Sequence, residues 1–469
     1  MSRWWPLVAI CLGTFMLLVD VTIVNVALPA MAGSLDSSFA DLQWVIDGYA
    51  LALAALLMVT GSLADRFGRR RLYLTGLVVF AVASLACGVA PSAGALVAAR
   101  VVQGAGGAAM FATTAALIAA SYHGRDRGTA FGVWAAVNGL AAACGPLVGG
   151  LLTEAWGWRA IFLVNLPVAA IAVALTLAVL ARDARITGAV RIDLAGAAAF
   201  TVAATGLVYG LIEAGDTGWG APTTVLSLVL AAVAVGAFVL VERRAEHPML
   251  ELALFRNRSF TALMVAAAVF SGAAFAHLAL VSLWLQEVLA LSPIRAGLAV
   301  VPLSVAAFVV SAAAGRFLHG GSPARPVGGG LALIGLGVLL LTVVGDGSGP
   351  WALLPGLVVS GLGVGLATPV LVSATLAILP PAKAGVGSAA VNTFRQLGLA
   401  VGLAVLGTVF AGHADPTDPR SSGYTDGLDA VFLTAGVAAL AAAVLVVVLV
   451  RRPTSAPSAP VERRVPSLD

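Results

Sequence analysis

Two ionisable residues, Asp20 and Arg100, lie within long apolar stretches of the sequence. A charge in the hydrocarbon of a bilayer costs at least about 2.5–3.5 kcal/mol, so such residues usually face a cavity or a partner. At a helical rise of about 1.5 Å per residue, both lie roughly 20 Å from the same membrane face. A guanidinium stabilises an ionised carboxylate and desolvation destabilises it, so a motion that changes either effect would load or release a proton. A static buried ion pair that fixes helix packing is the alternative.

Other polar residues within apolar stretches are candidates for lining a binding cavity. Thr22 and Asn25 would either contact a bound compound or form hydrogen bonds between helices. A lone histidine such as His277 is more often a hydrogen-bonded structural group than a titrating one. Asp47 and Tyr49 are interpreted as ordinary groups of a membrane interface. The candidate cavity residues are Thr22, Asn25, Gln103, His277, Asn392 and Arg395.

The sequence lacks the motifs of a nucleotide-driven motor, a metal centre or a hydrolase. A phosphate-binding P-loop needs Gly-Lys-Ser/Thr, and the single lysine, Lys383, stands in Pro-Ala-Lys-Ala. The five histidines form no His-Glu-x-x-His pair. We therefore expect no ATP, no metal, no other cofactor and no enzyme activity. An ion gradient is then the expected energy source.

The composition indicates a chain whose exterior meets lipid. Hydrophobic residues make up 60% of the 469 residues and charged residues 10%, against about 25% charged in a soluble domain. A soluble fold could not hide so much apolar surface, because its exterior must meet water. The net charge of +4 is dispersed over short loops, which excludes a nucleic-acid-binding signature. Cys11, Cys87 and Cys144 stand in apolar stretches and are interpreted as small buried hydrophobes.

Continuous apolar runs predict an all-α integral membrane protein with about fourteen transmembrane helices. A spanning helix needs about 20 mostly apolar residues, whereas a membrane barrel would show short alternating segments. The predicted spans are 7–28, 44–63, 72–91, 94–119, 129–153, 160–180, 193–213, 221–241, 260–284, 296–316, 327–344, 352–379, 385–410 and 429–450. With the N-terminus inside, 21 of the 26 basic residues lie in inner segments and three in outer ones. The positive-inside rule therefore predicts a multi-pass protein of the cytoplasmic membrane with both termini cytoplasmic.

The spans group as six, two and six. The predicted organisation is a six-helix bundle over 1–185, two inserted transmembrane helices with a cytoplasmic linker over 186–258, a second six-helix bundle over 259–450, and a disordered cytoplasmic tail over 451–469. In the second bundle, Asn392, Arg395 and Gln396 lie near one face of a helix and are predicted to form a polar cluster.

Four motifs resemble those of the major facilitator superfamily and of its drug:proton antiporters. They are Asp20 to Pro29 in span 1, Gly61 to Arg71 after span 2, Arg100 to Gly106 in span 4 and Gly145 to Gly150 in span 5. With about fourteen spans, they are similar to the EmrB/QacA-type branch, and Ala141 departs from it where the family usually has glycine. The resemblance implies the major facilitator fold, with two six-helix bundles around a central cavity lined by the helices of Asp20 and Arg100. It also implies a bacterial protein that is functional as a monomer.

The motif after span 2 has a physical interpretation as a conformational latch, formed by Gly61, Asp65, Arg66, Gly68 and Arg69. Asp65 stands where the helix leaves the membrane and could pair with a basic group or a helix N-terminus of a neighbour. The pair would form and break as the two halves rock. Alternatively, the arginines set only topology and contact anionic lipid head groups.

The span-5 motif combines three glycines with a proline. Gly145, Gly149 and Gly150 remove side chains from one helix face, so another helix can approach closely. Pro146 removes a backbone hydrogen bond and bends the helix. The resemblance implies a role in export direction and in sealing against proton leak, and generic close packing is the alternative.

The function that these features predict is proton-coupled efflux of drugs, antibiotics or other amphipathic compounds by alternating access. A proton-coupled uptake transporter for a small metabolite is the first alternative, which the span-5 motif disfavours. A membrane sensor is disfavoured by the short inner segments, and an intramembrane enzyme by the missing catalytic groups.

Overall fold

The structure is a computed structural model that describes residues 3–37, 39–183, 193–246, 248–317, 322–345, 347–380, 383–413 and 423–450. Within these ranges the chain is helical and contains no strand. Fourteen long helices correspond one by one to the fourteen predicted spans, so the predicted fold class is confirmed. The tail 451–469 and most of the loop before residue 423 lie outside the described ranges.

The first half contains six helices. They are α1 (Trp5–Leu35), α2 (Phe39–Phe67), α3 (Arg69–Gly88), α4 (Ala93–Ser121), α5 (Gly124–Trp156) and α6 (Ala160–Val179). Pro6 occupies the first turn of α1, where its missing N–H costs no hydrogen bond. The Ser92 hydroxyl caps α4 by accepting a hydrogen bond from the backbone nitrogen of Ala95 at 3.3 Å. Local chemistry therefore favours the observed starts of α1 and α4.

Two inserted helices follow, and then six helices of the second half. The inserted pair is α7 (Leu194–Asp216) and α8 (Pro222–Arg244). The second half comprises α9 (Arg258–Val288), α10 (Pro293–Phe317), α11 (Ala324–Val343), α12 (Pro350–Ile378), α13 (Ala384–Ala411) and α14 (Gly423–Leu449). We call the side of the molecule that holds the α2–α3 turn the α2–α3 face, and the other side the opposite face.

The helix surfaces are those of a membrane protein. Thirteen helices are long and apolar enough to cross a bilayer over the residues described, and α5 is the fourteenth long helix. Large apolar side chains face outward, as on α8, where Leu226 is 70% and Val233 64% exposed. Water would make this surface unfavourable, whereas lipid tails match it.

Helix α9 contains two π-helical turns, at Gly272–Ala276 and Trp284–Val288. The first lies where α9 and α13 touch through glycines. A Cβ added at Gly272 would lie 2.7 Å from the carbonyl oxygen of Gly398, and one added at Gly402 would lie 2.7 Å from the Cα of Gly272. The two backbones are therefore in direct contact, which side chains at these positions would prevent.

The two halves meet along α2 and α13, and again along α5 and α10. Inserted helix α7 packs against both α2 and α13, so it lies over the first of these seams.

Candidate functional site

The carboxylate of Asp20 and the guanidinium of Arg100 form a buried ion pair in the first half. The Arg100 Nη1 donates to Asp20 Oδ2 at 2.5 Å, and the two side chains are 0% and 1% exposed. Helix α1 supplies the acid and α4 supplies the base. The structure thus brings together the two residues that the sequence placed at matched depth.

Polar groups from three helices complete the surroundings of Asp20. Gln103 and Asn165 donate through their amide nitrogens to Asp20 Oδ1, at 3.0 and 2.8 Å. Both amides also donate to the Ser84 hydroxyl, at 2.7 and 3.2 Å. Gln103 Oε1 in turn accepts from Arg100 Nη1 at 2.7 Å. These donors offset the cost of removing the carboxylate from water, as a buried charge requires.

Arg100 has further contacts on α2 and α6. Its Nε donates to the carbonyl oxygen of Val45 at 2.9 Å. Its guanidinium carbon lies 4.1 Å from the ring centroid of Tyr49 and 5.8 Å from that of Phe162. Tyr49 is only 2% exposed, so its interpretation as an interface group was wrong. An aromatic residue near the end of a membrane helix can still be buried when a cation lies on the face of its ring.

The Asp20 network therefore joins four helices, because the carboxylate on α1 is bonded directly to α4 and α6, and Ser84 of α3 is linked through Gln103 and Asn165. If the carboxylate gains a proton, it loses the negative charge that attracts Arg100. It also becomes a hydrogen-bond donor facing the donors of Arg100, Gln103 and Asn165. Several hydrogen bonds would then have to change partners. The arrangement can couple proton binding to the relative positions of four helices.

A second site lies at the α2–α3 face, where Asp65 of α2 meets the start of α13. Its two carboxylate oxygens accept hydrogen bonds from the backbone nitrogens of Gly385 and Val386, both at 2.8 Å. Arg69 donates to the same carboxylate at 3.0 Å. An acid at a helix N-terminus satisfies free N–H groups and interacts favourably with the helix dipole. The contact therefore connects the first half to the second.

Close helix contact surrounds this acid. A Cβ added at Gly61 would overlap the Cβ of Ala389 and lie 2.8 Å from the carbonyl oxygen of Gly385. A Cβ added at Gly385 would lie 2.7 Å from the carbonyl oxygen of Gly61. The seam between α2 and α13 is thus closed at the α2–α3 face by glycine against glycine.

Gly68 connects α2 to α3 with a φ of 104°, which L-residues rarely adopt. A Cβ here would overlap the carboxylate of Asp183. That carboxylate accepts hydrogen bonds from the backbone nitrogens of Arg70 and Arg71, at 3.1 and 3.0 Å, and so caps α3. Arg66, the last arginine of α2, interacts electrostatically with Glu242 at the end of α8.

The span-5 glycines lie on α5, and two of them face α1. A Cβ at Gly145 would overlap the hydroxyl of Thr22, and one at Gly149 would lie 2.8 Å from the carbonyl oxygen of Ile23. A Cβ at Gly150 would meet only Ile294, at an ordinary 3.8 Å. The Thr22 hydroxyl donates back to the carbonyl of Val19 at 3.2 Å, within its own helix.

The candidate cavity residues do not form one cluster. Gln103 belongs to the Asp20 network, and Thr22 faces α5. His277 is fully buried, with Nδ1 3.0 Å from the carbonyl oxygen of Ala273 and its ring edge-on to Phe432. The side chains of Asn25 and Pro146 lie outside the described part of the structure.

The polar residues of α13 contact different helices. Asn392 is 1% exposed and donates to the carbonyl oxygen of Phe111, on α4 of the other half, at 3.3 Å. Arg395 lies over the ring of Phe270, with its guanidinium carbon 5.4 Å from the centroid. Gln396 faces α2 and α7.

Sequence analysis missed Ser84, Asn165 and Asp183. Ser84 and Asn165 are short polar residues in apolar helices, a pattern that ordinary helix packing also produces. Asp183 follows span 6 without a motif of its own. None of the three residues stands in one of the four motifs described above.

Comparisons with known proteins agree with this arrangement of helices. Residues 10–403 match the Major Facilitator Superfamily. The chain is similar to the Multidrug resistance protein Stp of Mycobacterium tuberculosis, with 37% identity over 412 residues that cover 88% of this chain and 76% of that protein. It is similar to the Methylenomycin A resistance protein of Streptomyces coelicolor, with 33% identity over 450 residues, 95% of this chain and 92% of that protein.

Among solved structures, the human organic anion transporter MFSD10 (TETRAN) has the same fold. The TM-score is 0.67 at 18% sequence identity, and the match covers 95% of this chain and all of that one.

Proposed function

This chain belongs to the Major Facilitator Superfamily, as its motifs predicted, and on that premise we propose that it exports small amphipathic compounds across the cytoplasmic membrane in exchange for protons. The names of two relatives support export of toxic compounds, since both are resistance proteins. The protein would lie in a bacterial inner membrane with both termini cytoplasmic, and it would function as a monomer.

The buried Asp20–Arg100 pair carries the proposal. An ionised carboxylate and a guanidinium in hydrocarbon are costly, and hydrophobic residues of similar volume would hold the helices at least as well. A carboxylate on α1 that is bonded to α4 and α6 is, by contrast, a group whose protonation would change helix positions. Proton binding at Asp20 would release Arg100, and deprotonation would restore the pair.

The Asp65 contact with α13 would be the latch that these changes act on. It holds the two halves together at the α2–α3 face, which is the cytoplasmic face in the proposed orientation. Rupture of the contact would let the halves separate there and admit a compound from the cytoplasm. Re-formation would close that face and leave release on the other side, as alternating access requires.

Reconstitution of the purified protein in liposomes tests this function. Liposomes with an imposed pH gradient are loaded with a fluorescent amphipathic compound, and compound and proton fluxes are followed together. Opposite directions of the two fluxes are expected. Movement in the same direction would indicate uptake by symport, and absence of any coupled flux across a panel of compounds would favour a sensor or an enzyme.

A further inference from the structure

A cavity of about 300 Å³ lies at the seam of α2, α7 and α13. Helix α2 contributes Asp47, helix α13 contributes Gln396, and inserted helix α7 contributes apolar side chains such as Ile212. The volume is at the lower end of ligand pockets, which span about 300–1,000 Å³. None of the residues discussed so far as proton or latch groups lines it.

The cavity lies apart from the closest contact of α2 with α13. They touch at Gly61 and Gly385, near the α2–α3 face. Asp47 lies 14 residues before Gly61, or roughly 20 Å along α2 at 1.5 Å per residue. The cavity thus lies from this contact toward the opposite face, and α7 forms its third wall.

Two contacts of aromatic residues join the inserted helices to α2 and to α13. Trp44 of α2 stacks on Tyr209 of α7, with ring centroids 5.7 Å apart. Trp219, in the α7–α8 turn, donates through its indole N–H to the Thr408 hydroxyl of α13 at 2.7 Å. Trp44 is one turn from Asp47, and Thr408 is one turn beyond Ala404, which lines the cavity. These contacts join α7 and the α7–α8 turn to the two helices that supply the rest of the cavity lining.

The lining has the chemistry of a site for a cation. Asp47 is its single ionisable residue and Gln396 its second polar side chain, while the rest of the lining is alanine, valine, leucine, isoleucine and glycine. Asp47 also interacts with other groups of the protein, as a carboxylate in apolar surroundings must. Apolar walls favour a hydrophobic body, and one carboxylate among them favours a positive charge over a neutral analogue.

We propose that the seam of α2, α7 and α13 is a binding site for small amphipathic organic cations, with Asp47 as the charge-selecting group and inserted helix α7 as one wall. The inference deepens the proposed export function and rests on it. Inserted helix α7 would contribute directly to ligand recognition, because it supplies four of the lining residues, Val208, Leu211, Ile212 and Gly215.

Binding measurements on the purified full chain in lipid nanodiscs test the site. The probes are a naphthalene carrying a trimethylammonium arm and the neutral isostere with a tert-butyl group in its place. The native protein should bind the cation at least tenfold more tightly than the isostere, a factor that corresponds to about 1.4 kcal/mol. Asp47→Asn should remove this preference and leave affinity for the isostere unchanged, while Asp47→Glu should retain the preference.

Matched variants separate the site from general effects. Glu154→Gln removes an exposed acid at the end of α5, near the same face, and should leave the preference intact. Ala400→Trp fills the cavity and should weaken both probes at least tenfold, whereas Val401→Trp, on the exposed side of α13, should weaken neither.

Three results would overturn the site. They are no binding of either probe to the native protein, an unchanged preference in a folded Asp47→Asn variant, or equal effects of Ala400→Trp and Val401→Trp. None of these depends on transport, so failure of the site can be told apart from failure of the proposed function. Loss of coupled flux with normal probe binding would retain the site and reject the function.

Discussion

The carboxylate of Asp65 lies 2.8 Å from the backbone nitrogen of Val386, so a side chain of the first half caps a helix of the second half. An acid at a helix N-terminus stabilises by about 0.3–1 kcal/mol when exposed and up to ~2 kcal/mol when partly buried. This is enough to shift a balance between two conformations severalfold without locking either of them.

We expect Asp65→Asn to lower efflux at least fivefold at equal membrane abundance. The amide keeps one acceptor oxygen but loses the charge that interacts with α13 and with Arg69, a loss of about 1 kcal/mol or more. Initial rates of dye efflux from cells provide the measurement. Asp126→Asn is the matched control, because Asp126 pairs with Arg3 within the first half and contacts no latch residue. Equal rates for the two variants would remove the latch from the mechanism.

Gly68→Ala should destabilise the protein more than Gly124→Ala. Both glycines have positive φ, 104° and 55°, so both alanines carry backbone strain of about 1–3 kcal/mol. At Gly124 a Cβ would meet nothing within 4 Å, whereas at Gly68 it would overlap Asp183 and disturb the cap of α3. Thermal unfolding in detergent would show the difference. A Gly124→Ala midpoint at or below that of Gly68→Ala would contradict it.

On α5, we expect Gly145→Ala and Gly149→Ala to impair folding or transport while Gly150→Ala does not. The first two substitutions place a methyl group against the α1 backbone, and overpacking typically costs about 1–3 kcal/mol. The third has ordinary van der Waals space. Membrane abundance and efflux of the three variants provide the comparison, and similar behaviour at all three positions would mean that α1 and α5 need no close approach.

Asp20→Asn should abolish gradient-driven efflux. Arg100→Gln should abolish it too, and it should destabilise the fold by about 3–5 kcal/mol, because it leaves a buried carboxylate without its cation. The double variant should regain much of the stability and none of the transport. This separates a proton-carrying acid from a purely structural ion pair. Thermal unfolding and efflux together decide the matter, and restored pumping in the double variant would show that Asp20 carries no coupling role.

Much of the fold follows from the sequence, because lipid demands long apolar helices whose number and order can be counted directly. The contact between Asp20 and Arg100 was predictable for a related reason: a lone charge at mid-depth needs an opposite charge at the same depth. The helix N-terminus as a partner for Asp65 was also among the predicted options.

The site contacts that were not predicted depend on how each helix is rotated about its axis. Apolar composition does not specify this rotation, because lipid and the protein interior are equally apolar. The rotations of α3 and α6 bring Ser84 and Asn165 into the Asp20 network, and the sequence alone does not specify those rotations. Tyr49 was misplaced because depth was inferred from its position along the chain, while its side chain points inward to the Arg100 guanidinium.

The glycine contact between α9 and α13 has a mechanical consequence. Helices whose backbones touch at Gly272 and Gly398 have no layer of flexible side chains between them to absorb sliding. A displacement of α13 would therefore displace α9 with it. Asp65 caps the first turn of α13, and the same helix runs along the seam that Gln396 faces. The seam, α13 and α9 would therefore move together when the Asp65 contact changes.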